Sequence, residues 1–508
     1  MTLLSRSILN PQLVIRVFTD TDPKNPTLSS DIPYATIIEQ INRAKTYLIK
    51  ERNARPGQKV LLAASAWPSY VIWFIAVAEL GMSFVVSDYP FINSSQSVEN
   101  KLSLYGDIQQ VIGDPESEVV TEIPFSHNLI DFSITRTYTD DSCADVMWAT
   151  PDSIMIYSTS SGTTDTPKVI PTTQKFLYDL LERNAKLYDL KTSDICLHTK
   201  GLHHGSVTGV YFLPTIKYCS THYFARFHDN LPDCPVNWVD LVQSKKINRC
   251  LMFYTMLDQF TALASLENKQ HDDLTIFVLN RIKPANIERV VGEFGYRIFS
   301  IFGCTETTGP LLLPGITPEN YTLYEHDNFG KQLDDFYQLS VTPEGMLSVI
   351  MPDGSSVLTG DKFSLINGNY IFNGRENLYR IRGVPVYVNL LVEVITQVTN
   401  LVHTEDYDIV VDKQYEKIYI RINDDIDLEY VNSQILDIIK IDSYLITLKI
   451  IADRAMFFNG IKFDAEEVRL VCRTIYPDQM PLPRAKELAK NAGDKKFLWK
   501  NRCCLSGA

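Results

Sequence analysis

The chain has 508 residues, 45% of them hydrophobic and 21% charged, with 61 acidic against 48 basic side chains and a net charge of −13. That length exceeds what one simple core holds, so two or more domains are expected, with the composition of an ordinary soluble enzyme. The acidic balance excludes a general nucleic-acid binder, although a nucleotide site needs only local positive charge.

In chain order, a helix is expected over Tyr34 to Arg52, where Ile37, Ile38, Ile41 and Leu48 recur among charges. Pro56-Gly57 ends it. Val60 to Ala64 reads as a strand, Tyr70 to Leu80 as a helix and Ser83 to Val86 as a strand, an alternation that implies a parallel sheet. The window Tyr70 to Val86 is strongly apolar, but Glu79 and Gly81 break it, so it is not expected to span a membrane. A helix over Asn93 to Tyr105 and a strand at Gln110 to Ile112 follow, and residues 114–150 carry no clear pattern. Nine cysteines show no CxxC pair and no ligand-like cluster, which fits reduced thiols in a cytoplasmic protein. No charged region followed by a long apolar core marks a leader.

The strand-like run Ile154-Met155-Ile156-Tyr157 leads into Ser158-Thr159-Ser160-Ser161-Gly162-Thr163-Thr164-Asp165-Thr166-Pro167-Lys168. Hydroxyl and backbone N–H donors with one cation suit a polyphosphate. The Walker spacing fails, because Pro167-Lys168-Val169 stands where Gly-Lys-Ser/Thr is required. A Ser/Thr-rich surface turn is the plainer alternative. A helix over Thr173 to Leu187 is expected to aim its N-terminal amides back at this loop.

His203 and His204 lie between Gly201 and Gly205, as pocket walls, ligands or catalytic groups. A pocket wall is favoured, since no carboxylate or cysteine sits at metal-ligand spacing. Strands are expected at Cys250 to Tyr254, Thr275 to Leu279 and Arg297 to Ile301, and helices at Leu257 to Leu266 and Ala285 to Glu293. The last strand runs into Phe302-Gly303-Cys304-Thr305-Glu306, at the carboxyl end where open α/β sheets bind ligands. A helix cap is the alternative role for Glu306. Short strands follow, with Thr359-Gly360-Asp361 among them, and Gly374-Arg375 marks a boundary. Strands at Lys417 to Ile422 and Leu445 to Ile451, with helices at Leu428 to Ile439 and Ala465 to Arg473, describe a smaller α+β unit. The expected organisation is α/β: a large domain of parallel-type sheets over residues 1–374 and a small α+β domain over 375–508 with a lysine-rich tail.

Four stretches in this order resemble the adenylate-forming superfamily of acyl- and aryl-CoA synthetases, adenylation domains and luciferases. They are the loop ending in Pro167-Lys168, Phe302 to Glu306, Thr359-Gly360-Asp361, and Gly374-Arg375 through Arg382-Gly383. The resemblance covers nearly the whole chain. It implies a small mobile C-terminal domain and ATP and Mg²⁺ chemistry, in which a carboxylic acid becomes an acyl adenylate and pyrophosphate is released. A thiol of CoA or of a carrier protein then takes the acyl group. By the same resemblance Ser160, Ser161, Gly162, Thr163 and Thr164 cradle phosphates and Lys168 steadies them. Glu306 and Thr164 hold the metal, and Phe302, Gly303 and Thr305 border the nucleotide. Asp361 and Arg375 bond the ribose. His203, His204, Asn280 and Gly303 border the acid pocket, Asn377 is the hinge, and Gly383 lines the thiol path. The adenylation lysine is Lys462, in Asn459-Gly460-Ile461-Lys462-Phe463-Asp464, or alternatively Lys495.

Departures from the family pattern are Asp165 where glycine is expected, Val169 after the lysine, and Leu279 to Pro284 in place of a glycine-rich segment. These, with the long tail, leave two further readings: a nitrogen nucleophile as acceptor, or a nucleotide-binding relative without catalysis.

Overall fold

The computed structural model describes residues 3–19, 27–63, 69–85, 105–113, 129–131, 133–159, 169–198, 207–225, 238–264, 273–279, 282, 284–325, 327–375, 378–381, 384–387, 391–392, 395–396, 407–412, 417–422 and 448–452. The chain divides into two compact units, Met1–Asn373 and Gly374–Ala508.

The first unit holds two largely parallel sheets. One has eight strands in the spatial order Gly315–Ile316, Arg297–Ile301, Thr275–Leu279, Arg249–Phe253, Ile195–His198, Thr221–Ala225, Val14–Thr19 and Thr27–Pro33. Its two edge strands are antiparallel to their neighbours and the rest are parallel. The other has six strands, in the order Leu129–Asp131, Gln110–Gly113, Lys59–Ala63, Ser83–Val85, Ile154–Thr159 and Val169–Thr173. Only its last pair is antiparallel.

Helices α1 (Tyr34–Lys50), α2 (Ser69–Glu79) and α3 (Gln174–Leu187) contribute to one core shared by both sheets. Ile41, Phe74 and Leu181 pack there with Phe84 and Ile156 of one sheet and Phe224 and Phe277 of the other. A strand buried on both faces needs no alternation, which explains the continuous apolar runs that marked these strands. A third, antiparallel group follows: Gln338–Val341, Met346–Ile350, Ser356–Ile366 and Asn369–Arg375. The second unit contains an antiparallel hairpin of Leu378–Ile381 with Val384–Tyr387. It also contains a three-stranded sheet of Tyr407–Asp412, Lys417–Ile422 and Leu448–Ala452.

One expectation needs correction. The segment 160–168 does not run directly into α3. Strand Val169–Thr173 intervenes, antiparallel to Ile154–Thr159, with Thr173 opposite Ile154 and Val169 opposite Thr159. The helix therefore starts beside Ile154, at the opposite end of the hairpin from the loop, and its N-terminal amides do not serve that loop. Thr173 caps the helix by accepting from Phe176 N. Pro171 obscured this strand, because proline reads as a break in a strand pattern and is tolerated only at edges. The expected helix over Ala285 to Glu293 divides into an α-helical turn, Pro284–Ile287, and a π-helical stretch, Glu288–Glu293. The helices expected at 93–105 (bar its last residue), 428–439 and 465–473 lie outside the described residues. No described helix is long and apolar enough to cross a membrane.

Every residue of α2 is buried, including Glu79. Its carboxylate takes Lys45 Nζ at 2.6 Å, Arg6 Nε at 2.9 Å, Arg6 Nη2 at 2.7 Å and Arg6 N at 2.8 Å. Lys45 also donates to Ala144 O at 2.7 Å. Burial opposes the charged carboxylate, but the hydrogen bonds from Arg6 and Lys45 outweigh it and hold Glu79 below its ordinary pKa. This cluster fastens the N-terminal segment, α1, α2 and the 144 region together. Glu79→Ala should cost about 3–5 kcal/mol in urea denaturation, because Lys45 is left buried without its carboxylate; a loss under about 1 kcal/mol would show the pair to be dispensable.

Candidate functional site

Strand Arg297–Ile301 ends at the carboxyl edge of the eight-stranded sheet. The chain then turns through Phe302 to Gly309 and comes back antiparallel: Phe302 N donates to Leu312 O at 3.0 Å and Leu311 N to Phe302 O at 2.8 Å. Thr305–Thr307 form a single 3-10 turn. The Thr307 hydroxyl bridges Cys304 O at 3.0 Å and Gly309 O at 3.1 Å. Thr308 sits at φ 53°, in the left-handed region that a β-branched residue rarely adopts. At Gly303 a β-carbon would lie 2.5 Å from Gly309 O, so the close return of the chain requires glycine there.

Phe302 joins an aromatic group with Phe363, Phe329 and Phe372, at centroid separations of 4.9, 5.3 and 6.0 Å. Phe363 belongs to the strand that carries Thr359-Gly360-Asp361. Asp361 is 8% exposed, and its backbone N–H donates to the Thr359 hydroxyl at 3.2 Å. Cys304 reports what surrounds it: burial, then the charge of Glu306, with that of Asp361 adding, pushes its thiol up to about 12. The Phe302–Glu306 turn and the Thr359–Asp361 segment, far apart in the chain, therefore meet. Glu306 is partly buried and, among the described residues, carries no hydrogen bond or ion pair. A carboxylate without a partner among the described residues is the kind of hard oxygen donor that Mg²⁺ prefers. No group of three or more His, Cys, Asp or Glu among the described residues is placed to hold a metal by itself.

Of the expected site residues, Phe302, Gly303, Thr305, Glu306 and Asp361 are brought together. Arg375 ends the strand Asn369–Arg375, its backbone paired with Leu378. Ser160 to Lys168, with Asp165 among them, and His203, His204, Asn280, Asn377, Gly383, Lys462 and Lys495 lie outside the described residues. Residues that the sequence did not single out are Arg183 and Tyr337, which hold two carbonyls of the turn. Arg183 Nη1 donates to Pro310 O at 2.7 Å and Tyr337 OH to Thr307 O at 2.8 Å. The one available signal was a polar pair, Arg183-Asn184, on the largely apolar buried face of α3.

A second polar feature lies at the end of strand Ile195–His198. His222 Nε2 meets Cys219 O at 3.2 Å, and a carbonyl only accepts, so that nitrogen carries the proton. His222 Nδ1 then accepts from His198 Nε2 at 2.9 Å, and His198 Nδ1 is buried without a partner among the described residues. Burial lowers both imidazoles, His222 to about 4. The folded pair stays neutral while unfolded imidazoles near 6.5 take up protons, so stability present above that value is lost as pH falls toward 4.

Two outcomes are expected. The thermal midpoint should drop progressively between pH 7 and pH 5, and His198→Phe with His222→Leu should flatten that slope; an unchanged slope would remove the pair as its source. Gly303→Ala should destabilise by about 1–3 kcal/mol and weaken ATP binding, since the new methyl group meets backbone and not a flexible side chain; thermal denaturation and calorimetric titration with ATP check it.

A sequence model of the family described as AMP-binding enzyme matches residues 21–328. The oxalate–CoA ligase of Arabidopsis thaliana is 25% identical over 207 residues, 38% of this chain and 39% of that protein, so the match spans well under half the length of that curated relative. The fold is similar to o-succinylbenzoate CoA synthetase from Bacillus subtilis, with a TM-score of 0.70 at 16% identity over 91% of this chain and 97% of that one. It is also similar to the adenylation domain of a keto acid-selecting NRPS module bound to keto acyl adenylate, with a TM-score of 0.62 at 13% identity over 90% and 95% of the two chains. With the family model covering more than half of its length, the chain belongs to the AMP-binding enzyme family.

Proposed function

We propose that the protein is an ATP- and Mg²⁺-dependent acid–thiol ligase that forms an acyl adenylate, releases pyrophosphate and passes the acyl group to CoA or to carrier-protein pantetheine. The observation that carries this reading is the Glu306 carboxylate, without a partner among the described residues, just past the carboxyl end of a parallel strand, with Asp361 acting on the same neighbour, Cys304, in a chain of the AMP-binding family. In the first step a carboxylate oxygen of the acid bonds to the α-phosphorus of ATP. The bond from that phosphorus to its bridging oxygen breaks, and pyrophosphate leaves with the oxygen. In the second a thiolate attacks the acyl carbon and AMP departs. Such transfers depend on positioning and charge neutralisation. Mg²⁺, when bound, offsets phosphate charge.

In this reading residues 1–374 bind ATP and the acid and 375–508 form the small domain. Ser160, Ser161, Gly162, Thr163, Thr164 and Lys168 hold the phosphates, and Glu306 with Thr164 holds the metal. Phe302 lies against the adenine, and Asp361 and Arg375 bond the ribose. His203, His204 and Asn280 border the acid. Lys462 offsets charge growing on the α-phosphate and carboxylate, with Lys495 as the alternative. Asn377 is the hinge and Gly383 lines the thiol path. The relatives named above are described for oxalate, a keto acid and o-succinylbenzoate, so a broad panel of acids is the starting point.

Acid-dependent ATP–pyrophosphate exchange over a panel of oxalate, keto acids, aryl, aliphatic and amino acids tests the reading. Exchange with at least one acid is expected, and its absence across the panel, with ATP still bound, favours a nucleotide-binding relative without catalysis. Lys462→Ala should lower exchange about 10²-fold and more than Lys495→Ala does; the reverse order reassigns the lysine. Offering CoA, a pantetheinylated carrier and amines as acceptors separates the thiol from the nitrogen nucleophile.

A further inference from the structure

The turn that carries Glu306 is held from outside by two side chains remote in sequence. Arg183, on α3, has a side chain only 6% exposed. Its guanidinium spends one edge on Asp334, Nε to Oδ2 at 2.7 Å, and another donor on Pro310 O at 2.7 Å. It lies over the rings of Tyr337 and Phe336, 5.0 and 5.2 Å from their centroids. Tyr337 in turn donates its hydroxyl to Thr307 O at 2.8 Å. The two captured carbonyls flank Thr308, the residue at positive φ. One turn away on the same helix face, Leu180 fills the space beside Gly309, where a β-carbon would stand 2.5 Å from Leu180 Cδ1. Asn184 donates to Gly209 O at 3.1 Å. Positions 180, 183 and 184 share one face of a helix.

We infer that Arg183 and Tyr337 form a positioning clamp that sets the direction of the Glu306 carboxylate, and through it the protein's response to Mg²⁺. A β-branched residue in the left-handed region is held there only when its surroundings over-determine it. Here the over-determination is two charge-assisted or phenolic hydrogen bonds to the carbonyls on either side. Among the described residues Glu306 has no partner of its own, and of these only the backbone from which it springs orients its carboxylate. Release of either carbonyl lets the turn relax and Glu306 swing. Lysine is not an adequate replacement at 183, because a single ammonium does not keep the planar fork that serves Asp334 and Pro310 at once.

The inference rests on the reading of Glu306 as a metal ligand, and the experiment separates the two. ATP binding is measured by calorimetry with and without Mg²⁺ for the full-length protein and for Tyr337→Phe, Arg183→Lys and Glu306→Gln. Tyr337→Phe removes one hydroxyl and keeps the ring, so it preserves the fold if Arg183→Lys does not. Glu306→Gln is expected to abolish the gain in ATP affinity that Mg²⁺ brings. Tyr337→Phe and Arg183→Lys are expected to cut that gain about five- to tenfold, the scale of one lost hydrogen bond, with Mg²⁺-free affinity unchanged. A purely structural role would lower the thermal midpoint and leave the Mg²⁺ gain intact. If both clamp variants keep the full gain while Glu306→Gln loses it, the clamp is overturned and the metal reading stands. If Glu306→Gln keeps the gain, the metal reading falls and the clamp falls with it.

Discussion

At Gly309 a β-carbon would stand 2.5 Å from Leu180 Cδ1, so glycine lets α3 approach the turn without displacing the end of that side chain. The turn that packs there follows the Arg297–Ile301 strand and carries part of the candidate site. The turn has to double back within eight residues, so it uses a glycine at 303, a left-handed Thr308 and a buried Thr307 hydroxyl that bonds two of its own carbonyls. A backbone this compressed is not stable alone. Arg183 and Tyr337 supply external partners for carbonyls that a tight turn otherwise leaves bare.

The scaffold behind the turn is rigid for a different reason. Two sheets share one layer of helices, and α2 is enclosed on all sides. A helix so placed has little to distinguish one rotation about its axis from another, because most of its side chains are apolar. Glu79 removes that freedom: only one rotation brings it to Lys45 and Arg6. A buried ion pair of this kind adds little net stability, while loss of one partner leaves an uncompensated buried charge. The His198–His222 pair plays a comparable part between neighbouring strands, its proton positions fixed by the Cys219 carbonyl.

The chemistry proposed for this family member needs charge brought to defined points, and the described part of the site supplies carboxylates in unlike settings. Asp361 is nearly buried and tied to its strand, whereas Glu306 stands partly open and has no partner among the described residues. The first suits a ligand with fixed donors, such as ribose hydroxyls. The second suits a cation. Cys304, at the position between Gly303 and Thr305, feels both charges and is kept protonated by them and by burial, so it is inert as a nucleophile.

Much of this was legible in the sequence. The strands Thr275–Leu279, Arg297–Ile301 and Lys417–Ile422 coincide with their apolar or alternating runs, α1 with its periodicity and α2 with its continuous apolar stretch, because each pattern follows from how much of that element is buried. The order of short motifs pointed to the family, since phosphate, metal and sugar each demand particular donors. What the sequence did not carry was partnership. Val14–Thr19 pairs with Thr221–Ala225, some two hundred residues away, and no local pattern encodes that choice. Val169–Thr173 hid behind its proline until Ile154–Thr159 was seen beside it. Arg183 and Tyr337 looked like an ordinary helical arginine and a strand-end tyrosine, because their role exists only once the Glu306 turn lies against them. Local periodicity determines which face of an element is buried; only tertiary packing decides which backbone groups that face must satisfy.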